Sequence, residues 1–328
     1  MFDMRRREFV TLLGGAAIAG ALPAAAQKGT ALIGLLGSGS AHSSGIFVDS
    51  LKEGLSDGGL REGRDYVLDL RWAEGNYERF PALARELVER KANVILATTI
   101  SAVRAAQRAT AAIPIVMTSI TNAVGAGLVA SLARPGGNTT GISNLNEDLT
   151  PKLLDHFREI MPRARVIASL GNPANPSTRG LVEVMRGHTA AFGATVNPFE
   201  AKAAGELDAA FDGITKSNSD ALLIVPDNLL IDLREPIASL ALKHRIPTLS
   251  TIPELTDAGG LLGYGPPRRD LYRRSGYFVK RILDGANPGD MPVEQPTRVQ
   301  LSINTKTAAV LGISIPDALL GRADKVIE

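Results

Sequence analysis

Apolar residues along the chain gather into short unbroken runs, and the stretches between them carry apolar positions at helical spacing. The first run, Ala31-Leu32-Ile33-Gly34-Leu35-Leu36, suits a strand buried on both faces of a parallel sheet. It ends in a small, polar loop, residues 37–45. That loop leads into a helix marked by Phe47, Leu51 and Leu55 and ended by Gly58-Gly59. Residues 66–72 alternate as a second strand. Phe80, Leu83, Ala84, Leu87 and Val88 then form one helical stripe, with Pro81 tolerated in its first turn. Buried strands follow at 94–97 and 115–117, with a helix over 102–111 between them. Their tips are Thr98-Thr99-Ile100-Ser101 and Thr118-Ser119-Ile120-Thr121-Asn122. Strand and helix alternate over short connections, the pattern of a doubly wound parallel sheet.

After the turn-rich break Arg134-Pro135-Gly136-Gly137-Asn138 and a strand at 140–144, the pattern restarts. A helix over 150–160 is expected to be capped by Thr150, with Pro151 just inside. Strands are predicted at 165–170, 195–199, 221–225 and 246–249, with helices between them. One of these helices carries Leu207, Ala210, Phe211 and Ile214 on one face, and another spans 231–244. The tips of this second set are Asn172-Pro173-Ala174-Asn175, Pro226-Asp227-Asn228 and Ser250-Thr251. A glycine-rich segment at 259–265, a helix over 268–283, a strand at 298–303 and a helical tail close the chain. The fold class is therefore α/β, with two doubly wound parallel-sheet lobes. Their two rows of strand tips can face one another across a cleft.

Composition narrows the function. The chain has 328 residues, enough for two cores, and 45% hydrophobic with 21% charged residues is ordinary for a globular protein. A net charge of +2 and 5% aromatic residues give no nucleic-acid surface and no base-stacking platform. The start of the chain is different in kind. Arg5-Arg6-Arg7-Glu8-Phe9 precedes an apolar, Gly/Ala-rich segment and Ala24-Ala25-Ala26, so residues 1–26 are expected to be a cleaved twin-arginine-type export signal and the mature protein periplasmic. The apolar stretch is short for a membrane span. Cysteine is absent, which removes disulfides, thiol chemistry and a lipoprotein anchor.

Catalytic and cofactor patterns are missing. There is no Gly-Lys-Ser/Thr after a glycine loop, and His42 stands where a dinucleotide fingerprint following Gly37-Ser38-Gly39 needs a third glycine. The four histidines, His42, His156, His188 and His244, have no metal-ligand spacing, and no Gly-x-Ser-x-Gly elbow occurs. The strand tips carry hydroxyls and amides instead, among them Ser38, Ser43, Thr98, Thr99, Ser101, Ser119, Asn228 and Thr251. Such groups suit reversible capture of a small polar molecule. No cofactor, no metal and no catalytic residue are expected.

Several longer motifs carry a resemblance. They are Arg71-Trp72-Ala73-Glu74-Gly75-Asn76-Tyr77, residues 127–138 (Gly-Leu-Val-Ala-Ser-Leu-Ala-Arg-Pro-Gly-Gly-Asn), Ala258-Gly259-Gly260-Leu261-Leu262-Gly263-Tyr264-Gly265, Gln295-Pro296-Thr297 and the tail 320–328. With the twin-arginine segment they cover nearly the whole chain. Together they resemble the ABC-transporter substrate-binding proteins, the branch linked to aromatic amino acids, with the type I periplasmic-binding-protein fold. The resemblance implies lobe I at 29–141 plus 254–288 and lobe II at 145–250, with the C-terminal strand and tail, 289–328, packing near the hinge. It implies three crossovers, at 141–146, 251–254 and 287–296, and closure of that hinge over a solute. It also implies a monomer that serves membrane permease subunits of an ABC importer. Where relatives often carry Asp-Pro after the fourth strand, this chain has Asn122-Ala123, which removes a carboxylate from that loop.

Individual positions follow from the tips. Asp227 and Asn228 can cap the next helix or meet the solute, and a carboxylate there suits an ammonium group. Thr98, Thr99 and Ser101 precede a helix and can offer hydroxyl and N–H donors to a carboxylate. Ser38 and Ser43 border the crevice at the first strand, and Ser119 and Thr251 lie at later tips. Tyr264, beside the return crossover, can pack on an apolar body or fill the core. Trp72 reads as a core or rim residue, and Arg268-Arg269 with Arg273-Arg274 as a solvated helix face. The solute is expected to be an amino acid or related carboxylate. An exported α/β enzyme and a ligand-sensing module for a membrane receptor are the rival functions.

Overall fold

The computed structural model describes residues 29–328, and the expected export signal lies outside the described residues. The first sheet contains β1 (Ala31–Gly37), β2 (Tyr66–Trp72), β3 (Val94–Ala97), β4 (Ile115–Thr121) and β5 (Thr139–Asn144). All are parallel, in the order β2-β1-β3-β4-β5. Helices α1 (Ala41–Asp57), α2 (Phe80–Glu89) and α3 (Ile100–Ala109) alternate with the strands. β3 and the helical stripe of α2 lie where the apolar pattern puts them, because both are fully specified by burial: every residue of β3 is buried, and Phe80, Leu83, Ala84 and Leu87 face the core.

The second half contains α4 (Asn146–Ile160), β6 (Val166–Gly171), α5 (Thr178–Ala190), β7 (Thr195–Glu200), α6 (Leu207–Lys216), β8 (Ala221–Ile224), α7 (Asn228–Asp232), α8 (Arg234–Lys243), β9 (Thr248–Ser250), α9 (Glu254–Asp257), β10 (Leu262–Gly265), α10 (Arg268–Leu283), β11 (Gln300–Asn304), α11 (Thr305–Leu311), α12 (Asp317–Leu320) and β12 (Lys325–Ile327). Seven of its strands form one sheet, β12-β11-β10-β9-β8-β6-β7, parallel except that β11 runs antiparallel to β10. Each sheet is covered on both faces. Leu36, Ile95 and Met117 pack under α2 and α3, whereas Leu35, Leu96 and Val116 pack with Phe47 and Phe278 on the other face. In the second sheet Leu223 and Ile303 share a core with α4 and α5, and Leu222 and Ile224 share one with α6 and α8.

Four local expectations change. The helix expected at 150–160 begins at Asn146. Thr150 is inside it and donates to the Asn146 carbonyl at 2.7 Å, so Pro151 is an interior residue rather than a first-turn one. The helix expected over 231–244 is two helices, α7 and α8, joined at Leu233 (φ −91°, ψ 13°). The chain ends in β12, not in a helix, because 325–327 complete the sheet edge beside β11. Residues 254–288 do not stay together with the first sheet: β10 pairs with β9 and β11, while α10 packs on α1 and β4.

The chain therefore passes between the sheets at Asn144–Asn146, at Gly265–Arg268 and between Glu294 and Gln300. The second passage lies later than the 251–254 expected. At the third, Glu294 lies alongside β5: its N–H donates to Gly141 O and its carbonyl accepts from Ser143 N, both at 2.9 Å. No described helix is long and apolar enough to cross a membrane.

Candidate functional site

Both sheets reverse strand order at their first strand, between β1 and β3 and between β6 and β8. The loops leaving those strands open a crevice at the carboxyl edge of each sheet. Local chemistry holds each loop in place. Ser40 caps α1 in a reciprocal capping box with Ser43, Thr99 Oγ1 caps α3 through Ala102 N at 3.1 Å, and Asp227 Oδ1 caps α7 through Leu229 N at 2.9 Å. Asn175 Oδ1 accepts from Ser177 N and Oγ and ties down the loop after β6.

Three of these loops, those after β3, β6 and β8, border a cavity of about 40 Å³. Thr98, Thr99 and Ser119 come from the first sheet, Asn175, Asp227, Asn228 and Thr251 from the second, and Asn144, Asn146 and Arg268 from the passages between them. A second space, about 10 Å³, lies beyond Thr98, Asn228 and Arg268 and is bordered by Ser38, Trp72, Tyr272 and Asp232. The larger space takes only a few water molecules.

Hydrogen bonds join the two sides directly. The Tyr77 hydroxyl donates to Asp227 Oδ2 at 2.7 Å. Asn228 Nδ2 donates to both the carbonyl and the Oγ1 of Thr98 at 3.0 Å, and its Oδ1 accepts from Arg268 Nη2. Thr251 Oγ1 donates to Asn146 Oδ1 at 3.0 Å, and Asn146 Nδ2 donates to Thr121 Oγ1 at 3.1 Å. A molecule larger than a few waters enters this space only by breaking some of these bonds.

Buried charge is concentrated here. Asp227 is 3% exposed and receives bonds from Tyr77, Asn172 Nδ2, Asn175 Nδ2 and Leu229 N, with no cation among them. Burial outweighs those donors and raises its carboxyl above the ordinary value. Burial, then the neighbouring Asp227 charge, pushes the Tyr77 phenol well up. Burial also raises Glu254, whose Oε1 accepts from Arg268 N at 2.7 Å at the start of α10. Asp232 is raised to about 6 by burial, against the opposing pull of the Ser43 hydroxyl, Arg268 and Arg234. Arg268 is 7% exposed, its guanidinium 5.2 Å from the Phe47 ring centre and 5.8 Å from that of Tyr272.

Of the residues singled out from sequence, Thr98, Thr99, Ser119, Asp227, Asn228 and Thr251 line the larger cavity and Ser38 lines the smaller. Ser43 is in the capping box beside Asp232, and Ser101 is inside α3, lining neither space. Tyr264 is away from both: it lies in β10, opposite Leu301, with its ring 4.9 Å from that of His156 on α4. Asn122 has φ +47°, accepts from Gly125 N and donates to the Glu147 carboxylate, so it shapes a turn outside both spaces. Arg268 is not part of a solvated face. Its neighbours Arg273 and Arg274 are, paired with Asp57 and Glu294. Asn144, Asn146, Asn175, Tyr77 and Asp232 went unmarked in the sequence. Asn175 was within reach, since it follows β6 by four residues as Asn228 follows β8. Among the described residues no group of three or more His, Asp or Glu side chains is placed to hold a metal ion.

The family described as ABC transporter substrate binding protein matches residues 40–327. A tyrosine-binding protein of Clostridioides difficile (strain R20291) is 27% identical over 269 residues, 80% of this chain and 77% of that protein. An ABC domain from Streptococcus pneumonia, crystallised in complex with L-Trp, superposes with a TM-score of 0.83 at 26% identity, covering 91% of this chain and all 100% of that one. A conserved domain protein from Vibrio cholerae O1 biovar El Tor gives a TM-score of 0.84 at 27% identity over 90% of this chain and 99% of that one. The two sheets have the type I periplasmic-binding-protein fold.

Proposed function

The chain belongs to the ABC transporter substrate-binding protein family, and from that premise we propose that it captures an aromatic amino acid between its two sheets and delivers it unchanged to an ABC importer. The observation that carries the reading is the meeting of hydroxyl and amide groups from both strand-tip rows on one space that also holds a buried guanidinium, Arg268. The N-terminal turn of α3, with Thr98 and Thr99, and the guanidinium of Arg268 offer donors to the solute carboxylate. Ile100, Ile120, Ile252 and Leu271 supply apolar surface for its body.

Binding is by hinge motion. The sheets part at their three passages, the solute replaces the direct bonds between Asn228 and Thr98, and the sheets close over it. The family's members bind solutes rather than transform them, and the hydroxyl and amide lining suits that role. Export through the segment at 1–26 to the periplasm, a monomeric state and delivery to permease subunits complete the reading.

The test is a thermal-shift screen of the purified mature protein against the common amino acids and simple organic acids. L-tyrosine or L-tryptophan is expected to raise the melting temperature most. No response to any amino acid overturns the assignment.

A further inference from the structure

Asp232 and Glu254 face the guanidinium of Arg268, the one buried arginine among the described residues, and Asp227 borders the larger space with it. Their surroundings differ. Asp227 has donors on both oxygens, from Tyr77, Asn172, Asn175 and Leu229 N. Glu254 accepts from the backbone at the start of α10 through Oε1 and also has an unpartnered oxygen, Oε2, but borders neither space. Asp232 is the one that borders the smaller space and has an oxygen, Oδ2, with no hydrogen bond. Arg268 borders both spaces, is buried, and its Nε is also without a partner. The Ser38 hydroxyl in the same space faces Tyr77 without a well-formed bond.

An unfilled acceptor on Asp232 and an unfilled donor on Arg268 are complementary to a molecule carrying both signs of charge. The wall between the two spaces is the Arg268–Asn228–Thr98 chain of hydrogen bonds. Parting it merges the spaces and puts both unfilled groups on one site. Asp232 comes close to the first sheet: a Cβ on Gly39 would be 1.8 Å from Asp232 Oδ2, so a side chain there would displace the carboxylate.

We propose that Asp232, and not the strand-tip Asp227, receives the ammonium group of the solute, with its carboxylate on Arg268. This rests on the amino-acid reading above and deepens it. The site then discriminates by the amino group. A solute with the same ring and carboxylate but no amine leaves Asp232 unanswered in a buried space, which is costly. The groups facing Asp232 are the Ser43 hydroxyl on α1, Arg268 on α10, Arg234 on α8, Asp227 before α7 and the Tyr77 phenol after β2. Asp227 is also raised by burial, so the pH dependence is assigned to Asp232 only where Asp232→Asn abolishes it and Asp227→Asn does not.

The test is isothermal titration of the mature protein with L-tyrosine and L-tryptophan and with their des-amino counterparts, 3-(4-hydroxyphenyl)propionate and indole-3-propionate. The wild-type protein is expected to prefer the amino acid by about tenfold or more. Asp232→Asn is expected to bring that ratio close to one. In the wild-type protein alone, the ratio is expected to fall between pH 7.5 and pH 5 as Asp232 takes up a proton. Retention of the full preference by Asp232→Asn, its loss in Asp227→Asn instead, or a ratio unchanged across that pH range overturns the assignment of the ammonium to Asp232 while leaving amino-acid binding standing. A wild-type protein that binds no amino acid removes the parent reading and this one with it.

Discussion

Tyr77 and Asp227, 150 positions apart in the chain, are joined by a 2.7 Å hydrogen bond that runs from the loop after β2 to the loop after β8. The bond ties one sheet to the other, and both partners are buried. Removing the phenol oxygen leaves Asp227 with its amide and backbone donors but takes away the only one from the opposite side. Tyr77→Phe is therefore expected to cost about 1–3 kcal/mol of stability, the range for a bond to a charged buried group. Urea denaturation measures it. An unchanged midpoint would show that this bond contributes nothing to holding the sheets together.

The approach of α1 to α10 is set by glycine. A Cβ on Gly54 would be 1.9 Å from the Arg273 carbonyl oxygen, and one on Gly276 would be 2.5 Å from the Gly54 carbonyl carbon. These are backbone atoms, which cannot swing aside. The same pair of helices carries the Ser40–Ser43 cap at one end and Arg268 at the start of α10. Gly276→Ala is thus expected to push the helices apart, to lower stability by about 3 kcal/mol or more, and to weaken solute binding along with it. Gly285→Ala supplies a contrast. Nothing lies within 4 Å of its Cβ, but its φ of +99° adds backbone strain without moving α1 from α10, so solute affinity is expected to persist.

Burial patterns made most of the framework legible. Strands such as β3, buried on both faces, and α10, with a continuous stripe from Leu271 to Ile282, are written in local composition. Partnership between distant strands is not. Residues 262–265 look the same whether they pair with β4 or with β9, and only the assembled sheet decides. The same limit applies to the site. Thr98, Asp227 and Asn228 were visible because strand tips in this architecture face a crevice. Arg268 was misread as exposed because it follows the periodicity of a charged helix face. Its burial comes from its place at the passage between sheets, against Phe47 and Tyr272. Asp232 ends a five-residue helix that the apolar run through Ile231 disguised as part of a longer one.

Asn228 links Thr98 to Arg268 and so spans the space where the sheets meet. Asn228→Ala removes all three bonds without adding bulk. At about 1 kcal/mol each, their loss shifts the balance between closed and open arrangements by on the order of a hundredfold. The variant is expected to have a larger radius of gyration than the wild-type protein when both are free of solute, measured by small-angle scattering. Identical curves would show that these bonds do not keep the sheets closed.

Asp232 makes stability depend on pH in a direction opposite to that of a salt-bridged acid. Burial raises its folded-state value to about 6, above that of an unfolded aspartate, so the folded protein binds the proton more tightly than the unfolded chain does. Below the unfolded value both states are protonated and the group contributes nothing. As pH rises through that value toward 6, the unfolded chain ionises first and is favoured. Above pH 6 the full penalty is present, at most about 3 kcal/mol for a shift of this size. Asp232→Asn removes the ionisable group while keeping the shape, so it is expected to be more stable than the wild-type protein at pH 7.5 and to lose that advantage by pH 4. Denaturant titrations of both proteins across this range measure the difference, and a constant gap between the two curves would show that Asp232 ionises in the folded protein as readily as it does in water. The gain is expected to come at the expense of binding: the buried charge that destabilises the empty protein is the same one assigned to the solute's amine.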